Sequence, residues 1–168
     1  MGLIPFFLRR LPYKTKHKYM KLTGARTFNA SASQIWGLLM DTEALARITP
    51  GISRLEATGP DTYRAIADVK IGPVSGSFTG KVDLLDKNAP HGFTLHVEQN
   101  SKIGNVAADI RLELEEKAPG QTELRFDGLA NMSGLLARTG QRVMSGVANT
   151  LTEQFFKALE AELQTPPA

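Results

Sequence analysis

Residues 63–84, YRAIADVKIGPVSGSFTGKVDL, consist of two alternating runs separated by Gly72-Pro73. In both runs apolar or small residues occupy every second position, and most of the intervening residues are polar. A period of two is typical of a strand with one buried and one solvated face, and Gly-Pro favours a turn. The segment therefore predicts an antiparallel hairpin whose apolar face covers an interior.

The same alternation continues on both sides of this hairpin. Turn-forming residues separate the further predicted strands, which are residues 21–28, 52–57, 93–98, 106–115 and 122–127. Successive strands with one polar and one apolar face are typical of an antiparallel sheet that is solvated on one side, here with about seven strands.

Three helices are predicted around this sheet. Residues 34–40 follow a run of capping side chains, and Asp41 can cap a second helix over residues 42–48. Residues 134–163 carry apolar side chains every three or four positions, which predicts a long C-terminal helix of about 45 Å if it is continuous. These elements predict an α+β fold in which a strongly curved antiparallel sheet holds the long helix over its concave face, with two short helices after the first strand.

The net charge of +3 is unevenly distributed along the chain. Residues 1–20 contain five basic residues and no acidic one, so the remainder has 15 basic and 17 acidic residues. The domain therefore lacks the basic excess that would indicate nucleic acid as a partner. We expect a flexible leader over residues 1–20, one domain over residues 21–163 and a disordered tail over residues 164–168.

The leader places an apolar cluster ahead of its positive charges, which is the reverse of a secretory signal. Two interpretations stay open: a peripheral membrane contact, or an extension without function upstream of Met20. No apolar run approaches the roughly 20 residues of a membrane-spanning helix, and the chain has no cysteine. A cytoplasmic protein, in contact with the membrane at most peripherally, is the expectation.

The inward positions of the predicted long strands carry no Asp, Glu, His, Lys or Arg. The three histidines, His17, His91 and His96, do not share the spacing of metal ligands. Convergent ionisable groups are what a catalytic site needs. We therefore predict no catalytic residue, no metal site and no catalytic cofactor.

Small residues are frequent at the inward positions instead, and glycines recur in the predicted long helix. They either keep an internal volume open for an apolar guest, or allow helix and sheet to pack closely, or mark kinks. Under the first interpretation, the predicted cavity wall consists of Trp36, Ala67, Val69, Phe78, Gly80, Phe93, Leu95, Ala108, Ile110, Leu136, Val143, Val147 and Leu151.

Several of these segments together resemble a known family. The matching residues are 21–24, the helix around Trp36, Pro50-Gly51, residues 69–82 and residues 154–156. They are similar to the CoxG family (the carbon monoxide dehydrogenase G subunit) of the helix-grip (START-like, SRPBCC) superfamily. The resemblance covers essentially the whole domain, and its most specific part is the hairpin at residues 70–81. Residues 99–105 depart from the family pattern because they lack a glycine-rich stretch.

The resemblance implies an accessory role beside a molybdenum hydroxylase of the carbon monoxide dehydrogenase type. It further implies a hydrophobic ligand in the cavity, such as an isoprenoid quinone or another lipid, and recruitment of the enzyme to the cytoplasmic membrane. The membrane contact would involve Met1–Met20 or the C-terminal helix. The alternatives are an assembly or anchoring factor that acts by protein contact without a ligand, and an enzyme, since some helix-grip proteins are cyclases.

Overall fold

Seven strands form one antiparallel sheet in the order β1–β7–β6–β5–β4–β3–β2. The computed structural model describes residues 18–164. The strands are β1 (Lys18–Phe28), β2 (Ile52–Gly59), β3 (Thr62–Ile71), β4 (Val74–Asn88), β5 (Gly92–Ser101), β6 (Gly104–Ala118) and β7 (Gln121–Met132). The helices are α1 (Ala32–Leu39), α2 (Thr42–Ile48), α3 (Gly134–Arg138) and α4 (Gln141–Gln164). The predicted helix-grip architecture is confirmed.

Residues 63–84, which were predicted to form an antiparallel hairpin, lie in the β3–β4 hairpin. Ala67 pairs with Phe78 and Ala65 pairs with Gly80, so the inward positions of the two strands lie side by side. Gly72 has a φ of 54° at the turn, a backbone conformation that glycine adopts without strain. Apolar side chains of both strands therefore face the interior, as the alternation predicts.

Helices α1 and α2 carry the chain from β1, at one edge of the sheet, to β2, at the other. Ser31 caps α1 through a reciprocal pair of hydrogen bonds with Gln34, and Asp41 caps α2. The buried hydroxyl of Thr122 donates to the carbonyl of Ala30 at 2.7 Å and ties the start of this connection to β7. The crossing closes one end of the curved sheet.

The long C-terminal helix is present, but the helical pattern over residues 134–163 is divided into two helices. Thr139 is extended (φ −70°, ψ 138°), and its hydroxyl donates to the carbonyl of Leu135 at 3.0 Å. Gly140 follows, and glycine costs up to about 1 kcal/mol in a helix interior. The chain therefore breaks there into α3 and a 24-residue α4, which is about 36 Å long.

Strand boundaries extend beyond the predicted ones. Strand β1 begins at Lys18, before the predicted domain start, and β7 continues to Met132. The rest of the predicted leader, residues 1–17, and residues 165–168 of the predicted tail lie outside the described part of the chain.

Two buried apolar clusters occupy opposite parts of the interior. The first joins α1, α2 and the C-terminal half of α4 to the sheet around Phe28, Ile35 and Leu159. The second joins α3 and the start of α4 to β1, β4 and β7 around Leu136 and Met144. Neither fills the space beneath the middle of the sheet.

Candidate functional site: an apolar cavity

A cavity of about 480 Å³ lies between the concave face of the sheet and helix α4. All seven strands and all four helices contribute side chains to its wall. A volume of this size lies within the roughly 300–1,000 Å³ of small-molecule sites. The curvature of the sheet therefore leaves an open volume of the size of a small-molecule site rather than a filled core.

The wall is almost entirely apolar. Its polar side chains are Thr49, Tyr63, Gln99 and Thr152, and no Asp, Glu, His, Lys or Arg is among the described residues that line it. An apolar wall offers water few hydrogen bonds, so such a cavity favours an apolar guest. No group of His, Asp and Glu side chains within residues 18–164 is arranged to hold a metal ion.

The structure brings most of the predicted wall residues together around this cavity. Those that line it are Ala67, Val69, Phe78, Phe93, Leu95, Ala108, Ile110, Leu136, Val147 and Leu151. Contact of these residues with a ligand stays a prediction.

Three of the predicted residues do not line the cavity. Trp36 packs edge-on against Phe93, with ring centroids 5.8 Å apart, and so supports a wall residue. At Gly80 a Cβ atom would overlap the carbonyl oxygen of Glu98, so this glycine serves close approach of two strands. Val143 is 41% exposed because α4 starts anew at Gln141 and turns Met144 inward instead.

Alanines, not glycines, keep the cavity open. Ala65, Ala67, Ala108 and Ala130 lie in its wall, where larger side chains would occupy the volume. The helix glycines do not line the cavity. Gly134 lies close to the backbone of Gly104, and Gly140 follows the break at Thr139, which agrees with the alternatives of close packing and of a kink. Gly140 and Gly146, for example, are exposed, and a Cβ atom added at either would have no atom within 4 Å.

Sequence reasoning missed several wall residues, among them Met20, Ala130 and Met132. They lie on the extended ends of β1 and β7, and continuing the alternation along each strand finds them. Gln99 lies just beyond the predicted strand over residues 93–98, whereas β5 continues to Ser101. Its position, two residues after Val97, places it on the inward face.

Ionisable groups are arranged on the outer surface. The imidazole of His96 lies 2.6 Å from Oδ1 of Asp109 and 2.8 Å from Oε2 of Glu98. The hydrogen bond with Asp109, and then that with Glu98, raises the pKa of His96 above its ordinary value. His91 is exposed in the β4–β5 turn, and His17 lies outside the described residues.

One end of the domain is formed by the β3–β4 hairpin, the β5–β6 turn, helix α3 and the first turns of α4. We call this surface the α3 end. The amide of Leu136 donates to the carbonyl of Ile103 at 3.0 Å, and Gly76 lies against the Ile103 side chain. Strand β1 starts here too, since Lys18 pairs with Met132.

The α3 end carries positive charge without compensation. Its segments, residues 69–80, 99–108 and 128–152, contain no Asp or Glu. None of its five cations forms an ion pair with a described carboxylate; they are Lys18, Lys70, Lys102, Arg138 and Arg142. Large side chains are exposed beside them: Tyr19 is 43% exposed and Leu135 is 55% exposed.

A curved antiparallel sheet that holds a long C-terminal helix around an apolar cavity defines a helix-grip, START-like protein. The family model of the carbon monoxide dehydrogenase G subunit (CoxG) matches residues 24–164, and the chain therefore belongs to the CoxG family. The resemblance found in the sequence is confirmed. No curated protein sequence gives a significant match.

Solved structures share the fold. A conserved protein from Geobacillus kaustophilus is 28% identical and superposes with a TM-score of 0.83, covering 85% of this chain and 94% of that one. A START superfamily protein from Mycobacterium smegmatis is 20% identical (TM-score 0.67, 84% and 95% covered). An aromatase/cyclase from Streptomyces sp. R1128 is 15% identical (TM-score 0.64, 86% and 93% covered).

Proposed function

We propose that the protein is a non-catalytic accessory protein that binds a hydrophobic ligand, such as an isoprenoid quinone. In this role it links a carbon monoxide dehydrogenase-type molybdenum hydroxylase to the cytoplasmic membrane. The observation that carries the proposal is the apolar cavity of about 480 Å³ beneath the sheet. Membership of the CoxG family supports the choice of partner enzyme.

The chemistry of the wall supports carriage rather than catalysis. Acid–base catalysis needs a carboxylate, imidazole or amine within hydrogen-bond reach of the substrate. Among the described wall residues the one ionisable side chain is the phenol of Tyr63. Burial of an apolar guest, by contrast, gains roughly 25 cal/mol for each Å² removed from water.

The α3 end supports a peripheral membrane contact. Within residues 18–164 no helix combines the length and the apolar character needed to cross a bilayer. The uncompensated cations of the α3 end match anionic lipid headgroups, each cation contributing about 1 kcal/mol near such a surface. The exposed side chains of Tyr19, Leu135 and Val143 can enter the headgroup region.

Ligand carriage is tested by native mass spectrometry and organic extraction of the purified protein. We expect a quinone or another lipid to co-purify, or an added quinone to bind with one-to-one stoichiometry. A folded protein that is empty and also refuses added quinone would end the carrier role and leave the assembly or anchoring factor.

A matched pair of variants locates the ligand. Ala108 faces the cavity, whereas its neighbour Ala107 pairs with Glu98 on the outer face of β6. Ala108→Leu should abolish ligand binding because the added volume occupies the cavity, while Ala107→Leu should leave it unchanged. Equal binding by the two folded variants would place the ligand elsewhere.

A further inference from the structure

Gln99 carries an unpaired polar atom in the cavity wall. Its Nε2 donates a hydrogen bond to the carbonyl oxygen of Glu98 at 3.2 Å. Its Oε1 is buried and has no hydrogen-bond donor among the described residues. A buried acceptor without a partner costs about 1–3 kcal/mol, so it requires an explanation.

Exchange of the Oε1 and Nε2 positions of Gln99 would not give every polar atom of the amide a hydrogen-bond partner. It would place Oε1 against the carbonyl oxygen of Glu98, so that two acceptors would face each other. The orientation with Nε2 towards Glu98 is therefore the consistent one, and it leaves Oε1 to be satisfied from another direction.

The neighbouring wall residues supply no donor. On the inward face Gln99 lies between Gly80 of β4 and Val106 of β6, and Ala65 pairs with Gly80 on its far side. Two of these residues are apolar and the third has no side chain. The terminal torsion of a glutamine is soft, so rotation of the amide about that bond can turn Oε1 towards a guest in the cavity.

We propose that Gln99 is the polar anchor of the cavity and accepts a hydrogen bond from the head of an otherwise apolar guest. This inference rests on the proposed ligand-carrying function. It favours, among apolar guests, lipids whose head carries a hydroxyl or N–H group. For an isoprenoid quinone the preferred form is the reduced quinol, because its hydroxyl groups donate to Oε1, whereas the oxidised quinone carries carbonyls that leave Oε1 unpaired.

Isosteric probes test the anchor. Isothermal titration measures the binding of 2-naphthol, which carries a hydroxyl, and of 2-methylnaphthalene, which carries a methyl group in its place. Gln99→Met keeps the length of the side chain and removes the amide. We expect it to weaken 2-naphthol about 3- to 10-fold relative to 2-methylnaphthalene, the equivalent of one hydrogen bond. Val97→Leu, an apolar change two residues away, should shift both probes equally.

The outcomes separate this inference from the proposed function. If neither probe binds the native protein, the ligand-carrying function fails and the anchor fails with it. If both probes bind and Gln99→Met affects them equally, the anchor is wrong while the carrier role stands.

The stability of the ligand-free protein distinguishes a ligand-binding role of Gln99 from a purely structural one. Removal of an unpaired buried oxygen should leave the urea midpoint of the empty protein unchanged or raise it. A marked fall in that midpoint would show that the amide stabilises the fold through Glu98 and would overturn the proposal.

Discussion

Gly80 of β4 lies so close to Glu98 of β5 that a side chain at position 80 would overlap the Glu98 carbonyl oxygen. Its register partner on β5 is Gln99, so the two strands approach closely beside the polar residue of the cavity wall. Glycine is the residue that permits such an approach. Glycine at position 80 therefore allows β4 and β5 to approach each other closely. The volume of the cavity depends instead on the alanines of its wall.

We expect Gly80→Ala to lower the free energy of unfolding by about 1–3 kcal/mol, because the backbone of β5 has to move. Gly76→Ala, on the same face of the same strand, is the control. Its Cβ would lie 3.7 Å from Cδ1 of Ile103, an ordinary contact, so little stability should be lost. Urea unfolding followed by circular dichroism makes the comparison, and equal losses in the two variants would contradict the assignment.

Periodicity predicted the strands because each one buries a single face. It predicted the long C-terminal helix but not the break in it, for a physical reason. Leu136, Gly140 and Val143 keep a spacing of three or four residues, so the apolar pattern passes through the break without a sign of it. The chain is extended at Thr139 and α4 restarts at Gln141, so Met144 faces the cavity in place of Val143, whereas Val147 and Leu151 line it as predicted.

The cavity could be predicted from the sequence only in part. Inward alanines such as Ala67 and Ala108 follow from the alternation of side chains, because every second residue of a strand faces the interior. The same alternation places Gln99 on the inward face, but a polar residue is ordinarily a sign of solvent exposure. The need for glycine at position 80 depends on the distance between two backbones, which no periodic pattern contains.

Charge reversal at the α3 end tests the membrane contact. The double variant Arg138→Glu, Arg142→Glu should bind anionic vesicles at least about 30-fold more weakly, since each lost cation removes about 1 kcal/mol. Arg64→Glu with Lys157→Glu changes the net charge equally at exposed positions outside this surface. Vesicle flotation at low salt measures both variants. Equal weakening by the two variants would indicate attraction by net charge alone.

Arg47 of α2 and Glu162 of α4 form a two-point ion pair, with Nε–Oε2 and Nη2–Oε1 distances of 3.0 Å. The hydrogen bond from Arg47 lowers the pKa of Glu162, so the pair contributes stability above the ordinary carboxyl pKa and loses it as the pH falls through the lowered value. We expect Arg47→Gln to increase hydrogen exchange in α2 at neutral pH. The exposed Arg54, changed to Gln, is the control, and unchanged exchange in both variants would show that the pair does not hold α2.

The outer face of the sheet should give the protein a second pH dependence through His96. Its raised pKa comes from Asp109 on β6 and Glu98 on β5, while Asp83 of β4 faces it in the register and pairs with Lys81. Because the folded pKa lies above the unfolded value of about 6.5, stability from this group is complete below that pH and is lost as the pH rises through the folded pKa. His96→Gln should therefore flatten the decline of the urea midpoint above about pH 6.5. His91→Gln, at an exposed turn, should leave the decline as in the native protein, and a native-like decline in His96→Gln would mean that another group causes it.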